Sequence, residues 1–198
     1  ATSIFLPPPM PAQGHIGFIS HSGAFCAAIV DWARGQGFGF SRIVSLGNHA
    51  DVDEADILSA LGEDQNTRVI VLYMEGVSDG RKFVEVARQV SQHKPVIAMK
   101  AGRFEAGQKA AASHTGALAA SDTAFGAAFE KGGILRAEST EQMFDWARIL
   151  ETYPTGFPLS GLRDTLRSLQ RSTSRDGHGI AILTNAGGPG VIAVDGLE

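Results

Sequence analysis

Apolar positions along the chain fall into two alternating rhythms. Short apolar runs rich in β-branched residues occupy 16–20, 42–46, 69–74, 95–100 and 180–184. Between them, apolar residues recur every three or four positions, which predicts amphipathic helices over 23–36, 53–62, 80–92, 105–112, 123–131 and 140–152. Strands alternating with helices imply parallel strands joined by crossover helices, an open α/β sheet. In such sheets ligands gather beyond the carboxyl ends of the strands, so the residues that close each run are where chemistry is expected.

The rhythm also suggests boundaries. The segment Pro7-Pro8-Pro9-Met10-Pro11 cannot lie in a helix interior or a central strand, because proline lacks an amide donor. Residues 1–14 therefore read as a linker arriving from an upstream domain, and 15–152 as one complete domain. Residues 153–178 mix proline, serine, glycine and charge with weak periodicity, which reads as a connector. Residues 179–198 begin a fresh strand, glycine turn and helix, the start of a second, truncated domain.

Composition narrows the setting. With 43% hydrophobic and 19% charged residues and a net charge of −4, the sequence has the make-up of an ordinary globular protein. Its 17 Lys and Arg are scattered, so neither nucleic acid nor an anionic membrane is expected as a partner. No apolar run approaches the roughly 20 residues that span a bilayer. The opening stretch lacks the charged start and apolar centre of a signal peptide, and a cytoplasmic location is the expectation. Cys26 is the single cysteine, which excludes an internal disulfide and a cysteine-based zinc site.

Candidate chemistry sits where runs end. After the first run, Ser20-His21-Ser22-Gly23 opens a helix whose first free amides and positive dipole end suit an anion; Ser22 equally suits a simple helix cap. The third run closes on Met74-Glu75-Gly76, which puts a carboxylate at the sheet edge, placed either to orient an imidazole or as a loop acid or cap. Asn48, Asp51 and Asp53 follow the second run and read as caps of the next helix that could also line the edge. In Ala112-Ser113-His114-Thr115-Gly116, a lone histidine stands among small residues, accessible enough for a nucleophile, although loop histidines are often inert. His15, His49, His93 and His178 carry no metal-site spacing. The glycine turn 184–190 could hold phosphate but fits neither the dinucleotide nor the Walker spacing.

Five blocks in this order, GHIGFISHSGAFCAAIVDWA, VSLGNHADVDEADIL, VIVLYMEGVSDGRKF, PVIAMKAGRFEAGQKAAASHTGALAASD and IAILTNAGGPGVIAVDGLE, resemble the NDP-forming acyl-CoA synthetases. That family includes ADP-forming acetyl-CoA synthetases and, more distantly, the α subunit of succinyl-CoA synthetase. The resemblance implies a flavodoxin-like doubly wound parallel sheet. It also implies a reaction in which acid, CoA and NTP interconvert with acyl-CoA, NDP and phosphate through an acyl phosphate and a phosphorylated histidine. His114 falls on the phosphohistidine and Glu75 on the acid that holds its imidazole. Ser20, His21, Ser22 and Gly23, with Thr115 and Gly116, fall on the surroundings of the phosphoryl group. Histidine at 21 stands where the family often has glutamine, and Ala120 where it often has glycine.

The resemblance further implies a CoA-binding domain upstream and an ATP-grasp nucleotide domain, as domains or subunits, and an oligomeric assembly. CoA, ATP or ADP, and Mg2+ would be bound mainly on those parts, so this stretch alone is expected not to turn over a small carboxylic acid. A second reading takes the chain as the synthetase-like regulatory region of a protein lysine acetyltransferase. A third takes it as a phosphate- or nucleotide-binding scaffold without chemistry.

Overall fold

A computed structural model describes residues 10–47, 51–102 and 122–152. In chain order these form β1 (Gln13–Ser20), α1 (Gly23–Gln36), β2 (Phe40–Ser45), α2 (Glu54–Glu63), β3 (Val69–Met74), α3 (Gly80–Val90), β4 (Val96–Lys100), α4 (Asp122–Gly132), β5 (Leu135–Arg136) and α5 (Thr140–Glu151). Side-chain caps set four of the helix starts. Ser22 accepts from the amide of Phe25, Asp79 from Arg81 and Lys82, and Ser139 from Gln142. Asp53 and Asp56 form a reciprocal capping box, so each start has partners for amides the helix itself leaves open.

Among the described residues the sheet has five strands in the order β2-β1-β3-β4-β5, every pairing parallel. This is the flavodoxin-like doubly wound order. Helices cover both faces, so all of β3 and β4 is buried while the edge strand β2 is half-exposed. The pleat divides the core in two. Val69, Val71 and Tyr73 of β3 join Phe25, Ile29 and Ala33 of α1 and Met143, Phe144 and Leu150 of α5. Ile70, Leu72 and Met74 point the other way, to Leu58 of α2, Phe83 and Ala87 of α3, and Phe125 and Phe129 of α4. Phe144 packs edge-on against Phe18 and Trp32, each with ring centroids 5.5 Å apart. Each such large side chain stabilises the fold by about 1.5–3 kcal/mol on burial.

Two departures from the sequence expectation have local causes. β1 opens at Gln13, three residues before the apolar run, because its start crosses β2 closely and irregularly: both Gln13 and Ile16 align with Phe40. Glycine permits the crossing, since a Cβ on Gly39 would lie 2.2 Å from the Ala12 carbonyl oxygen. The edge strand β5 was not expected at all. It is two residues long, too short for any periodicity to register. The expected strand 180–184 and helix 105–112, and the connector and second domain, lie outside the described residues.

Candidate functional site

α1 lies on one face of the sheet and α2 on the other, so the chain changes faces between β1 and β3 and leaves a crevice beyond their carboxyl ends. Two turns meet there. From β1 comes Ser20-His21-Ser22-Gly23, and from β3 comes Met74-Glu75-Gly76. The seam continues past the strands: the His21 amide donates to the Tyr73 carbonyl at 3.1 Å, and the Leu46 amide to that of Ser20 at 2.9 Å.

The first turn is wound by its own serines. Ser20 Oγ donates to the Ser22 carbonyl at 2.8 Å and accepts from the Ser22 amide at 3.2 Å. Ser22 Oγ caps the Phe25 amide at 3.2 Å, so the capping role is realised. Gly23 and Ala24, the first residues of α1, are exposed, and no acidic residue lies in the first turn. Their outward amides at the positive end of the helix can accommodate an anion. Ser45, closing β2, stands beside them: its Oγ lies 3.5 Å from where a Gly23 Cβ would be.

The His21 side chain turns inward, only 3% exposed. Its Nδ1 accepts from the Glu75 backbone amide at 3.3 Å, which assigns the proton of the neutral ring to Nε2. Nε2 lies 4.0 Å from Oε2 of Glu54. Glu54 is itself buried at the start of α2, and its Oε1 accepts from the Ser78 amide at 3.2 Å. Its charge is placed where the helix dipole favours it. Glu75 is half-buried at the crevice. Its Oε1 is shielded from solvent and accepts no hydrogen bond among the described residues, leaving an oxygen able to take an N–H from a group entering the crevice.

β4 delivers a third segment to the same edge. The Ala101 amide donates to the Met74 carbonyl at 2.9 Å. Lys100 is buried; its ammonium donates to the Gly102 carbonyl at 2.8 Å and sits 5.4 Å from the Phe125 ring centroid. Gly102 adopts a left-handed φ of 68°, a turn that favours glycine.

Of the residues singled out from sequence, Ser20, His21, Ser22, Gly23 and Glu75 thus come together at one rim. His114, Thr115, Gly116 and Asn48 lie outside the described residues. Asp53 serves the capping box and a salt bridge to Lys82 at 2.9 Å, and Asp51 is exposed. Glu54 was missed. Its signal was present: positions 54, 58 and 61 share a helix face, and Leu58 and Leu61 are core residues.

Comparisons with known proteins bear on the family and the fold. The profile described as succinyl-CoA ligase like flavodoxin domain matches residues 13–150. The chain is 46% identical to acetate–CoA ligase (ADP-forming) I of Archaeoglobus fulgidus over 95% of its own length and 24% of that protein. It is also 46% identical to the α subunit of acetate–CoA ligase (ADP-forming) I of Pyrococcus furiosus, over 93% of the chain and 36% of the subunit. The solved dinucleotide forming acetyl-coenzyme A synthetase 1 of Ca. Korarchaeum cryptofilum, in complex with phosphate and ADP, superposes with a TM-score of 0.69 at 46% identity, covering 72% of this chain and 31% of that one. The chain therefore spans about a quarter to a third of the length of these relatives. With the family's fold, its strand order and a profile match across the whole described sheet, the chain belongs to the succinyl-CoA ligase-like flavodoxin domain family.

Proposed function

We propose that this chain is the phosphohistidine-bearing part of an NDP-forming acyl-CoA synthetase, acting with CoA-binding and nucleotide-binding domains or subunits. The overall reaction joins a small carboxylic acid to CoA, with NTP giving NDP and phosphate. A nitrogen of the His114 imidazole takes the phosphoryl group from the acyl phosphate or the nucleotide, and the displaced oxygen leaves with the bonding pair.

Glu75 accepts the N–H of the other ring nitrogen, raising its partner's basicity and stabilising the charge that builds up on phosphorylation. The amides at the start of α1 stabilise the transferred phosphoryl oxygens without a side-chain charge. ATP or ADP and Mg2+ would be held mainly by the partner domains. The observation that carries this reading is the meeting, beyond adjacent ends of β1 and β3, of an acid-free helix start and a shielded carboxylate oxygen with no partner among the described residues.

The test is labelling of the complete enzyme with γ-labelled ATP and Mg2+. The expected label is acid-labile and base-stable, is discharged by ADP, and disappears in His114→Ala. A wild-type enzyme that binds ATP and takes up no label would overturn the proposal.

A further inference from the structure

We infer that His21 and Glu54 are positioning residues, a two-point clamp that fixes the turn carrying Glu75 and thereby sets where its carboxylate points. The inference rests on the reading of Glu75 as the acid that orients His114.

The turn from Glu75 to Asp79 links the end of β3 to the cap of α3, and two of its amides are held by side chains from other elements. Glu75 N–H is accepted by Nδ1 of His21, which follows β1. Ser78 N–H is accepted by Oε1 of Glu54, which begins α2. The two gripping side chains face each other, Nε2 of one 4.0 Å from Oε2 of the other, and are 3% and 1% exposed. Accepting from the Glu75 amide places the proton of the neutral imidazole on Nε2, which faces Glu54 Oε2 at 4.0 Å, beyond hydrogen-bond length. Burying a carboxylate and an imidazole is costly unless both are held by polar partners. A fold using these positions only for packing would have filled them with apolar residues, as at Leu58 and Leu61 beside Glu54. An acid that must meet an imidazole nitrogen at hydrogen-bonding distance depends steeply on where its backbone is held.

Chemistry supplies a discriminating substitution. A glutamine at 21 offers a carbonyl oxygen that can accept from the Glu75 amide as Nδ1 does, whereas leucine offers no acceptor. The experiment compares His21→Gln, His21→Leu and Glu54→Leu in the complete enzyme. It reads hydrogen exchange of the peptide spanning residues 74–79, single-turnover uptake of label at saturating ATP, and the ATP dissociation constant.

Both leucine variants are expected to exchange that peptide about tenfold faster and to label about tenfold more slowly. ATP affinity should stay within about twofold, and exchange in β2 and β4 unchanged, showing that the sheet persists. His21→Gln should keep labelling within about threefold of wild type. Leucine variants that label at the wild-type rate, or a His21→Gln enzyme as slow as His21→Leu, overturn the clamp. Should His21→Leu fail to fold, Glu54→Leu decides in the same way. A wild type that takes no label defeats the phosphohistidine reading alone; the clamp then stands if the leucine variants speed exchange at 74–79 and falls if they do not.

Discussion

Cys26 sits one turn into α1, near helix amides that would ordinarily favour a thiolate, yet burial dominates and raises its pKa from 9.0 to about 11. Because the folded value lies above the unfolded one, the neutral thiol's contribution to stability is complete below pH 9.0 and is lost as pH rises through about 11. Alkylation by iodoacetamide at pH 8 should be about a hundredfold slower in the native protein than in urea, from the thiolate fraction alone; equal rates would mean that the α1 packing is not as described. Sequence reading located the serine turn and Glu75. It could not see that His21 points inward, because nothing in Ser-His-Ser-Gly says which face of the turn its side chain occupies. That direction follows from the docking of β3 and α2, which supply the Glu75 amide and the Glu54 carboxylate.

At the scale of elements, the openings of β1 and β2 approach each other closely. A Cβ on Gly39 meets backbone atoms of Ala12 and Gln13, and one on Gly14 meets the Gly39 carbonyl at 2.4 Å. Neither side can yield as a flexible side chain would. Gly39→Ala should therefore cost about 2–3 kcal/mol, read as a lower urea midpoint with an unchanged slope. The long elements were legible for a simple reason: β3 and β4 are buried on both faces and must be apolar throughout, while α3 and α5 carry one apolar face each. β5 and the first residues of β1 were not legible. Their pairing is decided by neighbours distant in sequence, with Ala98 beside Arg136 and Phe40 beside Gln13, and local pattern holds no record of that.

Over the whole molecule, the two ends of the sheet divide the labour. At the end where strands begin, Lys94 donates to the carbonyls of Leu61 and Asp64 at 2.9 and 2.7 Å, closing the last turn of α2. Lys94→Met should lower stability by about 1–2 kcal/mol while leaving the rate of histidine labelling at the wild-type value; a slowed rate would show that the two ends are coupled. The overall class was legible because alternating strands and helices admit few topologies, but the pattern alone did not give the strand order. That order places the first-made strand, β1, between β2 and β3. As the polypeptide leaves the ribosome, the inner edge of β1 stays bare until residue 74 has emerged. β3 pairs with that edge and carries Glu75 at its carboxyl end, so the strand that covers β1 also supplies the opposite wall of the serine turn. A nascent chain cannot complete its central seam without also bringing Glu75 to the crevice, so an error in docking that one strand would be felt at once in fold and in function.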